Sequence, residues 1–219
     1  MGRGVIAPHG RVRLAGVALG AVILAAARVG FAVTPADPCQ LTLRDPGMML
    51  DRQVSPALLA RTFAPSALRD AAVEIGEGET RPGTVVFPDD PRRRLSVVWR
   101  DRPSPGGKIW LMVDGESRWR GYRNVGLGTD LRTLERLNGR PFVLAGFAWD
   151  YGGTVVDWRG GALASTATER CRLIVRLEPP RSAASDLVDQ VIGDRDFPSD
   201  HPAMRALNPA AYQVILELP

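Results

Sequence analysis

Apolar residues recur at every second position in several short stretches of the chain, the period of a half-buried strand. Cys39, Leu41 and Leu43 share one face of such a stretch. Cys171, Leu173, Val175 and Leu177 share another, with Arg170, Arg172 and Arg176 pointing the opposite way. Residues 71–75, 84–87 and 95–100 read as strands, the last presenting Leu95, Val97 and Trp99 together, and Pro88-Asp-Asp-Pro91 is turn chemistry. A closing strand aligns Tyr212, Val214, Leu216 and Leu218. The run Phe142–Trp149 is apolar on both faces, which predicts a covered central strand and assigns Trp149 to the core.

A helical stripe follows Ser55-Pro56, a cap and a proline at the first helical position, and ends near Ala64-Pro65. A second, carrying Leu131, Leu134 and Leu137, begins at Thr129 or Asp130 and stops at Asn138-Gly139. Strands 142–149 and 154–158 then flank the turn Tyr151-Gly-Gly153. Helix, strand, turn, strand thus occurs twice. The order predicts an α+β fold of antiparallel sheets with short helices on one side, built as two tandem helix-plus-hairpin units, 37–125 and 126–219. Ser185–Ile192 reads as a short helix and Gly193–Pro202 as a loop.

The 23 glycines and 18 prolines of the 219 residues fit many turns and short elements. The first 32 residues differ from the rest. Arg11 and Arg13 precede the fourteen-residue apolar run Leu14–Ala27, and small residues follow, the layout of an export signal. Cleavage is expected after Ala32 or Ala36. A helix of fourteen residues spans about 21 Å, short of a ~30 Å bilayer core. A periplasmic or secreted protein with no stable membrane span after cleavage is therefore expected, an uncleaved N-terminal anchor being the alternative. Export changes the meaning of the two cysteines. In an oxidising compartment Cys39 and Cys171 are candidates for a disulfide, against two unpaired buried thiols.

The formal charge of +4 also resolves here. Residues 1–32 hold four arginines and no acid, which leaves 24 basic against 24 acidic residues in the remainder. A charge-balanced body gives no global attraction for nucleic acid, and no such partner is expected.

The stretch Gly126–Phe142, running on to Gly146-Phe-Ala-Trp-Asp-Tyr-Gly-Gly153, resembles a family of exported bacterial proteins with no established activity. Gly76-Glu-Gly-Glu79, Pro88–Pro91 and Asn208-Pro-Ala-Ala-Tyr212 belong to the same resemblance, which covers most of the chain after the leader. More distantly, a short helix followed by antiparallel strands is similar in shape to β-lactamase inhibitor proteins and small outer-membrane assembly lipoproteins. That similarity implies binding.

The catalytic inventory is thin. One histidine, His201, follows the leader, and Ser199, Asp200 and His201 are sequence neighbours between prolines, unlike a triad assembled from separate elements. Two cysteines and one histidine make no zinc site, and no metal or cofactor is expected. Gly126-Leu-Gly-Thr129 lacks the remainder of a phosphate-loop motif. Glu77 and Glu79 flank Gly78, and Asp150 and Asp157 bracket the Tyr151 turn, a possible source of paired carboxylates. Trp119 and Tyr122 lie among arginines, where an exposed edge would anchor a partner, and Arg92-Arg-Arg94 reads as a solvated run. The candidate binding residues are therefore Trp119, Tyr122, Tyr151, Asp150, Glu77 and Glu79. The leading expectation is a non-enzymatic binding module of the bacterial envelope, its partner an envelope protein or a glycan. The alternatives are a carboxylate-dependent hydrolase of cell-wall polysaccharide and a passive structural protein of the envelope.

Overall fold

A computed structural model describes residues 1–2, 37–99, 108–164 and 171–219. The expected leader and its cleavage points lie outside the described residues, as do Arg100 and Arg170.

From residue 37 onward the first elements are the hairpin strands β1 (Leu41–Leu43) and β2 (Met48–Leu50). Helix α1 (Pro56–Thr62) starts where expected, the Leu58 N–H donating to Ser55 Oγ at 3.1 Å. Strands β3 (Leu68–Gly76), β4 (Glu79–Val86), β5 (Leu95–Val98) and β6 (Ile109–Val113) follow, then α2 (Leu131–Asn138). Asp130 caps α2 by accepting from the Thr133 N–H, and Gly139 ends it in the left-handed conformation, φ 78°. Next come β7 (Val143–Ala145), β8 (Val155–Asp157), β9 (Arg172–Glu178), α3 (Ser185–Val188), β10 (Asp196–Pro198), α4 (Pro202–Leu207) and β11 (Ala210–Leu218).

The fold is α+β, with antiparallel sheets and few, short helices. Its largest sheet has the order β3-β4-β5-β6-β11-β9 and a smaller one the order β10-β7-β8. This topology does not reproduce a tandem repeat. The second half contributes β9 and β11 to the same sheet as the first, while β7 and β8 form a separate sheet with β10. Residues Pro35–Pro219 make one compact unit, so the expected boundary at 125/126 falls inside it.

Strand β6 has no counterpart among the expected strands. Its sequence, Ile-Trp-Leu-Met-Val, is apolar throughout because both faces of the sheet are covered at this point. Leu111 and Val113 join the main core with Leu95, Val97, Leu173, Val175, Val214 and Leu216. Met112 faces the other way, into a second cluster with Val73, Ile75, Val98 and Ile215. That sheet curls. A Cβ placed on Gly76, at the end of edge strand β3, would lie 3.8 Å from the guanidinium of Arg176 on the opposite edge strand β9.

Cys39 and Cys171 are both buried and stand at disulfide distance, tying the chain before β1 to the start of β9. No helix among the described residues is long and apolar enough to cross a membrane.

Candidate functional site

Where the two edges of the large sheet converge, three segments enclose a cleft of about 470 Å³. The first is the β3–β4 turn. Gly76 pairs with Glu79, so Glu77 and Gly78 form a two-residue loop, with φ of 53° and 74°. Positive φ at both positions is the hairpin geometry that matches strand twist, and glutamate is an uncommon residue to hold it.

The second segment is the turn after β7. The expected strand 142–149 ends at Ala145, and the next residue, Gly146, packs so closely against the Gly193 carbonyl that any side chain there would collide. The chain then leaves the sheet, and Ala148 and Tyr151 adopt left-handed φ of 57° and 56°. Gly153 has no room for a Cβ either, since the Leu177 carbonyl occupies that place and accepts no substitute. The Leu177 N–H donates to the Gly153 carbonyl at 2.9 Å, docking the turn onto β9. Trp149 is thereby turned outward and is 57% exposed, not in the core as the apolar run suggested. Tyr151 is 51% exposed.

The third wall is Arg176–Pro179 of β9 and its exit, with Tyr212 of β11. A bulge between Ala211 and Gln213 breaks the β9–β11 register. It removes Tyr212 from the face that holds Val214, Leu216 and Leu218 and leaves it 38% exposed at the cleft.

The electrostatics join these walls. The Arg176 guanidinium lies over the Tyr151 ring at 5.2 Å. The Glu77 carboxylate raises the Tyr151 phenol above its ordinary value of 10.0, chiefly through its charge, then burial and a hydrogen bond from the hydroxyl; Arg176 opposes the shift. Thr154 Oγ1, Arg176 Nε and Gln213 Oε1 are buried and meet no hydrogen-bond partner among the described residues. They are neighbours: Thr154 bridges to Arg176, and Arg176 stands opposite Gln213. Leaving such groups unpaired costs about 1–3 kcal/mol each. Three left-handed non-glycine residues and three unpaired polar atoms in one region are a concentration of strain of the kind functional sites carry.

The cleft therefore collects Glu77, Asp150 and Tyr151 of the expected residues. Glu79 lies just outside, paired with Arg81 at 3.1 Å. Trp119 does not reach the surface. It is 0% exposed, and its indole N–H donates to the Arg93 carbonyl at 2.8 Å. Its neighbours Arg118 and Arg120 lie toward solvent on the other side of the extended chain, which leaves Trp119 to face the core. Tyr122 sits in a 3-10 turn away from the cleft, half-buried against the core with Arg123 over its ring. Sequence reasoning missed Trp149, Arg176 and Tyr212. The signals available were an aromatic beside a Gly-Gly turn and an arginine on the polar face of a strand.

Within the expected loop Gly193–Pro202, Asp196–Pro198 form β10 and Ser199 is buried. Its hydroxyl donates to Glu135 Oε1 at 2.7 Å and accepts from the Phe142 N–H at 3.0 Å. His201 caps α4, its Nδ1 accepting from the Ala203 N–H.

No protein-family model, curated protein or solved structure matches the chain.

Proposed function

We propose that the protein is an exported, non-enzymatic binding module of the bacterial envelope whose cleft takes a glycan. The observation that carries this reading is the pairing of exposed Trp149 and Tyr151 with Glu77, Asp150 and Arg176 around one cleft. Flat aromatic faces pack against the C–H faces of sugar rings, while carboxylates and a guanidinium hydrogen-bond the equatorial hydroxyls. A few polar groups converging on an aromatic-lined recess are the usual composition of a small-ligand site. Export is supported by the leader pattern and by the buried cysteine pair at disulfide distance.

Calorimetric titration with soluble peptidoglycan fragments tests it. Binding is expected for the unmodified protein, with affinity reduced about tenfold or more by Trp149→Ala or Tyr151→Ala. Absence of binding, or binding that neither substitution changes, overturns the reading. A second reading, hydrolysis of the same polysaccharide, draws on Glu77 and Asp150 lining one cleft. Release of new reducing ends, abolished by Glu77→Gln or Asp150→Asn, would establish it.

A further inference from the structure

A second recess of about 640 Å³ lies among the arginines. Its walls come from three segments. Arg44 and Asp45 belong to the β1–β2 turn, Asp90, Arg92 and Arg93 to the loop between β4 and β5, and Arg118 and Arg120 to the extended segment after β6. Five arginines thus line one recess of a body whose basic and acidic residues balance.

Two of the five are committed to the protein itself. Arg93 pairs with Asp90 at 2.6 Å and lies 4.3 Å above the Phe87 ring. That pair holds the Asp90 carboxyl below its ordinary range, with the backbone N–H groups of Arg92 and Arg93 assisting. Arg120 crosses Gly126, where any side chain would obstruct it, and donates to the Leu127 carbonyl at 3.0 Å. Among the described residues, Arg44, Arg92 and Arg118 have no carboxylate within ion-pair distance. With Asp90 neutralised by Arg93, Asp45 is the one remaining acid in the lining.

The scaffold beneath is rigid. Thr42 and Arg120 exchange both backbone hydrogen bonds at 2.8 Å, and the Arg118 N–H donates to the Arg92 carbonyl at 2.8 Å. Ser117 Oγ and the Trp119 indole donate to the Arg94 and Arg93 carbonyls. Buried Trp119 therefore fixes the extended segment from which Arg118 and Arg120 project the other way. Unpaired like charges held together repel one another, and an anion bound among them removes that repulsion. Guanidinium groups match phosphoryl oxygens in bidentate geometry.

We propose that this recess binds a phosphoryl group, presented either by a soluble phosphate or by a lipid headgroup. The site is independent of the aromatic cleft. Two probes distinguish the sources of the phosphoryl group: inorganic phosphate by calorimetry, and phosphatidylglycerol vesicles, with phosphatidylcholine vesicles as control, by co-sedimentation. The unmodified protein is expected to bind at least one anionic probe and not the control. Arg92→Ala with Arg118→Ala weakens that binding on the order of tenfold or more, whereas Arg61→Ala with Arg181→Ala leaves it unchanged. Thermal unfolding of both double variants checks that they remain folded. Binding to vesicles alone assigns a lipid headgroup, and binding to phosphate alone a soluble source; either supports the site. Binding of neither probe, or equal loss in both double variants, overturns it.

Discussion

The aromatic cleft and the arginine recess differ in how their side chains are aimed. In the recess, Arg118 and Arg120 face outward by alternation about buried Trp119 on an extended segment, and Arg44, Asp45, Asp90, Arg92 and Arg93 join them from turns tied to that segment by main-chain hydrogen bonds. The cleft rests on turns. Its side chains are aimed by left-handed residues, glycines with no space for a Cβ and a bulge. One gathers arginines; the other gathers Glu77, Asp150 and Glu178 about Arg176 and three exposed aromatics. The recess is lined by five arginines and two aspartates and the cleft by three acids and one arginine, an asymmetry that the total charge conceals. The difference also predicts that the two regions fail differently when the scaffold is damaged.

Removing the disulfide is the severest damage. Cys39→Ala with Cys171→Ala releases a cross-link spanning 132 residues, worth about 4–5 kcal/mol in the chain-entropy account. Urea unfolding measures this. The β1–β2 hairpin that walls the recess is tied to the remainder through Cys39 and the Thr42–Arg120 pair, whereas β9 at the cleft is zipped along β11. Phosphoryl binding should therefore weaken while glycan binding persists in the folded variant. Equal loss at both sites would break the comparison.

Trp119→Ala should cost about 3–5 kcal/mol, since a fully buried indole leaves a cavity beneath the recess. Trp119→Phe retains most of the packing and loses the bond to the Arg93 carbonyl, about 1 kcal/mol. Both changes should disturb the recess and spare the cleft, as read by unfolding and by the two binding assays.

Gly153→Ala is the counterpart on the other side. The new methyl meets the Leu177 carbonyl at a left-handed φ of 73°, so the turn must move. A loss of about 2–3 kcal/mol is expected, with weakened glycan binding and unchanged phosphoryl binding.

The same contrast explains how much was legible. Helices α1 and α2 were readable because Ser55-Pro56, Asp130 and Gly139 cap them locally. The α+β class and the core-facing alternation of β9 followed from period alone. Strand β6 was lost because a run buried on both faces carries no period. Trp119 and Trp149 were assigned to each other's environments: Trp119 because arginines surround it, and Trp149 because alternation tells only which residues share a face, and only while the strand continues. Around Trp119 the chain is extended without belonging to a strand, and the face toward the core bears just one large apolar residue between arginines. At Trp149 the strand has already ended, and the chain beyond Ala145 packs against the segment around Gly193, distant in sequence. Tyr212 left its face through a bulge that no local residue announces. The cleft was partly visible through Glu77, Asp150 and Tyr151, and its remaining walls depend on tertiary contacts.

The smallest effect bears on how tightly the cleft's walls are joined. Glu77 on the β3–β4 turn raises the phenol of Tyr151 on a turn remote in sequence, with Arg176 pulling the other way. An alkaline absorbance titration, with Tyr151→Phe as the subtraction, should show Tyr151 ionising above the ordinary 10.0. Glu77→Gln removes the principal cause and should bring the transition down; Arg176→Gln removes the opposing charge and should push it higher. The sign of the linkage follows. The folded state holds the Tyr151 proton more tightly than the unfolded chain, so the contact's contribution is complete below about pH 10 and is lost as pH rises through the shifted value. Stability should therefore fall slightly more steeply with alkalinity in the unmodified protein than in Glu77→Gln. If the two titrations coincide, the turns do not meet as described, and the cleft ceases to be a single site while the arginine recess is untouched.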